Sequence, residues 1–178
     1  MGGHRPACRA EHGRAGEPAP SGHDTRRMHP DDRSLLALAV EQARIGRAEG
    51  GVPIGAVLTD EEGRVLGAGR NRRVQQGSAI RHGETDALEN AGRQPASVYG
   101  RSTMVTTLSP CDMCTGAILL YGIPRVGLGE NSTFLGGEAL LRRRGVEVVV
   151  LDDTECIDLM REFIAAHPDV WNEDIGEE

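Results

Sequence analysis

Apolar and polar positions divide the chain into an unpatterned beginning and a regularly patterned remainder. Residues 1–29 mix Gly, Pro, Ala, Arg and His with no apolar period, so they bury too little surface to offset their ordering entropy; a disordered extension is expected. Residues 30–178 carry periodic segments throughout and are expected to form one domain. Leu35, Leu38, Ala39, Gln42 and Ile45 recur at helical spacing behind Asp31 and Asp32, which suit a helix cap; this first helix should end near Gly46. Residues 53–59 and 64–69 read as strands of a hairpin around the turn-forming Asp60-Glu-Glu-Gly63.

Residues 82–90 follow a helical pattern that stops near Gly92. The β-branched run 103–108 predicts a strand, Pro110 suits the first position of a helix, and 111–121 continues that helix to Gly122. Strands at 125–129 and 147–151 are separated by a helix at 138–144, and residues 153–166 predict a longer helix. After the first helix the order is β-β-α-β-α-β-α-β-α, an α/β arrangement whose sheet is covered by helices on both faces. No internal repeat is present.

Length and charge narrow the function classes. A chain of 178 residues fits one core. No apolar run approaches the roughly 18 residues of a membrane span. Arg26-Arg27 is followed by His29, Asp31, Asp32 and Arg33 where an export signal needs apolar residues. These features predict a cytoplasmic protein with no membrane partner. All 20 basic residues are arginine, and the net charge is -7. The first 27 residues hold five arginines against Glu11, Glu17 and Asp24, so the remainder is more acidic than the whole. Such a domain is a poor match for a polyphosphate, which argues against long nucleic acid as a partner.

Four cysteines are too few and too unevenly spaced for a disulfide framework, but Cys111 and Cys114 form a Cys-x-x-Cys pair suited to metal or redox chemistry. His82-Gly83-Glu84 opens one predicted helix and Pro110-Cys111-Asp112-Met113-Cys114 opens another. Residues three apart share a helix face, and the positive end of the helix favours the thiolates that zinc needs. His82, Cys111 and Cys114 are therefore candidate ligands of one Zn2+, with a fourth position open to water. Glu84, two residues after the candidate His ligand, could take a proton from that water and deliver it to a ring nitrogen and a departing amine. This combined spacing is the signature of zinc-dependent nucleobase deaminases.

A structural zinc clip or a redox pair would also use Cys-x-x-Cys. The first needs a fourth Cys or His, yet Cys8 lies in the extension and Cys156 in a distant helix, where a buried apolar thiol is the ordinary reading. The second has no use for His82 and Glu84. A non-catalytic zinc-binding module remains the alternative from another class. There is no Gly-x-Ser-x-Gly elbow and no Gly-rich phosphate loop with lysine.

The run 106–118 (Thr-Thr-Leu-Ser-Pro-Cys-Asp-Met-Cys-Thr-Gly-Ala-Ile), with His82-Gly-Glu84, Leu88-Glu-Asn90, Tyr121-Gly-Ile-Pro124 and the ending Trp171-Asn-Glu-Asp-Ile-Gly-Glu177, resembles the fungal-type cytosine deaminases of the cytidine/deoxycytidylate deaminase superfamily. The resemblance spans about residues 50–177, and the ending is its most particular part. It implies a three-layer α/β/α sandwich around a five-stranded mixed sheet, one Zn2+ per chain, a homodimer, and a small-molecule nucleobase substrate converted from cytosine to uracil in pyrimidine salvage. Deamination of guanine, or of adenosine in tRNA, is the alternative on the same scaffold.

Position by position, the resemblance implies that Asn71 binds the pyrimidine edge, the Gly83 backbone helps read the carbonyl, and Asp174 lies near the amine. Phe134, Trp171 and Ile175 would form an apolar lid, with Ile54 and Leu108 lining the pocket. An amide can donate to O2 and accept from N1–H, and aromatic faces stack on a flat base. Read without the resemblance, Asn71 also suits a turn, Trp171 and Phe134 suit a core or an interface, and Asp174 suits a solvated chain end. Thr85-Asp86 after Glu84, a residue missing shortly after Phe134, and Asn172 after Trp171 depart from the fungal pattern. Arg142 to Arg144 fit the solvated end of a helix better than a phosphate contact.

Overall fold

The computed structural model describes residues 32–177, so the expected disorder of 1–29 lies outside the described residues. Five strands form one mixed sheet: β1 Gly55–Thr59, β2 Val65–Arg70, β3 Thr103–Leu108, β4 Arg125–Glu130 and β5 Glu147–Val150. Their order is β2-β1-β3-β4-β5; β1 is antiparallel to both neighbours, whereas β3, β4 and β5 are parallel. The helices are α1 Asp32–Ala48, α2 Arg73–Gln76, α3 Gly83–Ala91, α4 Ala96–Tyr99, α5 Asp112–Tyr121, α6 Glu138–Arg143, α7 Thr154–Ala166 and α8 Pro168–Ile175.

Strand alternation assigns each side chain to a layer. Ala56, Leu58, Met104, Val126, Leu128 and Val148 point to one face, where they pack with apolar residues of α3, α5 and α6. Val57, Val105 and Val149 point to the other, against Leu36, Ala39, Val40 and Ala43 of α1 and Cys156 and Leu159 of α7. The three-layer α/β/α sandwich expected from the sequence is thus present. A third cluster, built on Val52, Ile54, Leu108, Met160, Phe163 and Trp171, closes the end of the sheet where β3 and β4 terminate.

The hairpin turn is held by the Asp60 carboxylate, which accepts from the backbone N–H groups of Glu62 and Arg64. Ladder hydrogen bonding begins at Gly55, two residues later than expected, because segment 52–54 bonds differently. The Ile54 N–H donates to Val52 O, the Ile54 carbonyl accepts from Asn71 N, and Gly55 N–H donates to the Thr107 hydroxyl. Pro110 does not open α5. Cys111 is its N-cap in extended conformation (φ -65°, ψ 174°), and the helix starts at Asp112.

The sequence pattern does not predict α2, α4 or α8. The first two have four residues each, too few to show a period. In contrast, α8 carries Pro168 in its first turn and the left-handed Gly176 after its end, signals that could have revealed it. Arg142 and Arg143 lie in the last turn of α6 and, with Arg144, are exposed, as expected of the solvated end of a helix; Arg142 also pairs with the buried Glu138 at 2.8 Å.

Helix α3 lies directly on β2 because β2 offers glycines where it crosses. A Cβ at Gly69 would collide with backbone atoms of Ala87, Asp86 and Gly83, none of which can yield without moving α3. Gly69→Ala should therefore destabilise the fold by about 1–3 kcal/mol, read as a lower midpoint in urea denaturation; an unchanged midpoint would show that α3 tolerates the displacement.

Candidate active site

Two helices begin at the same point in space. His82 is the N-cap of α3, with extended backbone (φ -80°, ψ 171°), and Cys111 is the N-cap of α5. Thr85, one of the departures from the fungal pattern, fixes the α3 terminus by accepting from the His82 N–H at 2.9 Å. The other departure, Asp86, is fully buried and accepts from Arg70 N, Arg72 Nε and Arg81 Nη1 at 3.0–3.1 Å. It therefore brackets Asn71 on both sides and ties that loop to α3.

The donor atoms of His82, Cys111 and Cys114 all lie within 4.8 Å of one another. His82 Nδ1 faces Cys111 Sγ at 3.5 Å, while Nε2 lies 3.9 Å from the Asp174 carboxylate. Zn–S bonds of about 2.3 Å and Zn–N bonds of about 2.0 Å need only a small contraction of this set. One imidazole and two thiolates suit a borderline-soft ion, and the Nδ1 side of His82 is the one turned to the sulfurs.

The cluster is electrostatically primed. A hydrogen bond from Cys114, assisted by His82 and opposed by burial, lowers the Cys111 thiol from its ordinary range to about 4. The same hydrogen bond, with burial, raises Cys114, which acts as the donor. Burial, reinforced by the charge of Cys111, raises the Glu84 carboxyl. Glu84 is only 3% exposed, and an acid raised in this way can hold and release a proton nearer neutral pH. His82 is pulled down by burial but more strongly up by Cys111 and Asp174.

A small cavity opens onto this cluster. Ile54 and Leu108 form one side, His82, Glu84 and Cys111 the reactive end, and Phe134, Trp171, Asp174 and Ile175 the closure. The Phe134 and Trp171 rings meet edge to face, 5.7 Å apart at 85°. Ser109 also lines the cavity, although nothing in its residue type singled it out; its hydroxyl donates to Glu138 and accepts from Gly136 N, each at 3.0 Å. The Glu130 carboxylate, at the end of β4, accepts from both Ser132 and Thr133 and anchors the loop that presents Phe134.

Residues 29–130 match the cytidine and deoxycytidylate deaminase zinc-binding region. The chain belongs to the cytidine and deoxycytidylate deaminase family. It is 58% identical to a cytosine deaminase of Candida albicans over 147 residues, 83% of this chain and 98% of that protein. It is 36% identical to a tRNA-specific adenosine deaminase of Haemophilus influenzae over 56% of this chain and 58% of that one. Among solved structures, a guanine deaminase from Nitrosomonas europaea superposes with a TM-score of 0.63 at 25% identity, covering 79% of this chain and 87% of its own.

Within this deaminase frame, not every expected residue faces the cavity. Asn71 is fully buried behind Asp174: its Nδ2 donates to Asp174 Oδ1 at 2.8 Å and its Oδ1 accepts from Arg73 N at 3.0 Å. Gly83 packs against Ile54, Gly55 and Ala56, below the cavity wall. Cys156 sits in the core beside α1, and burial raises its thiol strongly.

These environments separate the thiols by reactivity. In zinc-depleted protein carrying Cys8→Ser, iodoacetamide at about pH 6 should alkylate Cys111 and leave Cys156 unmodified, with added zinc protecting Cys111. Peptide mapping by mass spectrometry gives the answer, and comparable labelling of the two would contradict the assigned environments.

Proposed function

We propose that this chain is a zinc-dependent cytosine deaminase, hydrolysing free cytosine to uracil and ammonia. The observation that carries the reading is the juxtaposition of a His82-Cys111-Cys114 cluster with a buried Glu84, whose carboxyl burial raises above its usual range, at the end of an aromatic-roofed cavity. The identity to the Candida albicans cytosine deaminase, which spans nearly all of that protein, supports the choice of base.

His82, Cys111 and Cys114 would hold one Zn2+ per chain. When bound, zinc supplies the Lewis acidity that makes water nucleophilic near neutral pH. Glu84 takes the proton of the attacking water and passes it to the pyrimidine N3 as the new C4–O bond forms. It then transfers the second proton to the amine, so that the C4–N bond breaks with loss of ammonia. Asp174 receives the exocyclic amine; its Oδ2 has no hydrogen-bond partner among the described residues, whereas Oδ1 is already engaged by Asn71. Asn71, buried behind Asp174, holds that carboxylate in place, and a role for it and the Gly83 backbone at the opposite edge is what the resemblance implies. Phe134, Trp171 and Ile175 cover it, and Ile54 and Leu108 grip its faces.

No helix among the described residues is long and apolar enough to cross a membrane. With Cys111, Cys114 and Cys156 all free, a reducing cytoplasm and a role in pyrimidine salvage fit the chain. A homodimer is supported by an uncovered apolar strip, in which Ile80, Leu120 and Tyr121 are 64%, 79% and 41% exposed along a groove beside α3 and α5. Leu120→Glu should shift the elution of the wild-type dimer to that of a monomer; a wild type that elutes as a monomer would remove the dimer.

Ammonia release measured across cytosine, cytidine, guanine, adenine and isocytosine should be greatest with cytosine. Glu84→Gln should retain zinc by metal analysis while losing about 10²–10⁴-fold in kcat, and Asn71→Ala and Asp174→Ala should raise KM without stripping metal. Preference for guanine or adenine would overturn the choice of base, and near-normal turnover by Glu84→Gln would overturn the proton shuttle.

A further inference from the structure

Arg73 lies outside the zinc cluster and does not line the cavity, yet it contacts both polar residues assigned to the base. Its backbone N–H donates to Asn71 Oδ1 at 3.0 Å, and its Nη1 donates to Asp174 Oδ1 at 3.2 Å. Asn71 Nδ2 donates to that same Asp174 oxygen at 2.8 Å, which closes a ring of hydrogen bonds among the three residues.

The ring has a fixed polarity. A backbone N–H can only donate, so the Asn71 carbonyl oxygen must face Arg73 and its NH2 must face Asp174. The Asp174 side chain is only 3% exposed, and one amide donor does not compensate a carboxylate removed from water. The Arg73 guanidinium, on a side chain that is 17% exposed, supplies the opposite charge. Its remaining contacts contribute little to stability: the Nη2 pairing at 3.4 Å is with Glu173, which is 76% exposed, and Nε is buried without a partner. The best-defined of its side-chain contacts is therefore the one from Nη1 to the carboxylate that closes the cavity.

Resting on the deaminase reading above, we propose that Arg73 is a positioning residue for base recognition. Its guanidinium fixes the Asp174 carboxylate with Oδ2 left for the exocyclic amine, and its backbone N–H fixes the Asn71 amide against flipping. The short helix α2 thereby links the edge-reading loop to the closing helix α8.

The test is a double-variant cycle on the zinc-loaded full chain, with kcat and KM measured on whichever base of the panel the wild type turns over best. Arg73→Met should raise KM about 10- to 100-fold, the loss of one charge-assisted hydrogen bond, with a smaller change in kcat and unchanged zinc content. Arg73→Lys should recover part of that loss. In an Asp174→Asn background Arg73→Met should add nothing further. A KM within about twofold of wild type, or losses that multiply in the double variant, would overturn the proposal. If Arg73→Met does not fold, Arg73→Lys decides by the same comparison: a KM rise that vanishes with Asp174→Asn supports it, and an unchanged KM overturns it. Wild-type preference for another amino base would refute cytosine while leaving the cycle readable on that base; a chain that turns over none removes both readings.

Discussion

The site depends on two helix N-termini being brought face to face. His82 and Cys111 each end an extended segment and begin a helix, so their side chains project from the positive ends of α3 and α5 into shared space. Neither segment is free to choose its position. Helix α5 follows β3, in the middle of the sheet, whereas α3 is held on β2 by the side-chain-free surface of Gly67 and Gly69. Without that close approach α3 would stand further from the sheet, and the imidazole would no longer meet the sulfurs.

Buried carboxylates then set the finer geometry, each by a different route. Asp86 ties the loop around Asn71 to α3 through two arginines and a backbone N–H. Glu130 and Glu138 secure the segment carrying Phe134, one through Ser132 and Thr133, the other through Ser109 and Asn131. Removing charges from water is expensive, and each of these carboxylates has several donors in compensation. The loops that build the cavity are thereby held to rigid elements, as catalytic geometry demands. Glu84 is the contrast: it is as deeply buried, but its protonation is left responsive to the cluster beside it.

Most of this architecture was legible in the sequence because it rests on short-range rules. Strand alternation and helical spacing identified every strand and the long helices, and the His-x-Glu and Cys-x-x-Cys spacings identified the residues that meet at the cluster. What escaped depends on contacts between distant segments. Ser109 and Arg73 have no distinguishing pattern; their significance appears only when Glu138 and Asp174 arrive from 29 and 101 residues away. Thr85 and Asp86 depart from the fungal pattern for reasons that only the fold supplies: Asp86 pairs with Arg72 and Arg81, and Thr85 accepts from the N–H of His82. Helix α5 starts at Asp112 instead of Pro110: proline favours a first helical position, but here Cys111 takes the extended cap.

The same geometry bears on the choice between a free base and a polynucleotide. Trp171, Asp174 and Ile175 all come from α8 and lie over the reactive end, with Phe134 meeting Trp171 edge to face. A base still attached to a nucleic acid must enter with its sugar and phosphates trailing outward, which needs an open mouth and a cationic track. Here the mouth is covered by an apolar roof. The arginines of the loop beside Asp174 and α3 are committed to carboxylates, Arg73 to Asp174 and Glu173, Arg72 and Arg81 to Asp86. Cations neutralised in this way cannot release counterions from a phosphate backbone to gain affinity. The roof and the paired arginines thus suit the small neutral base proposed as substrate, and the acidic domain is in keeping with it at longer range.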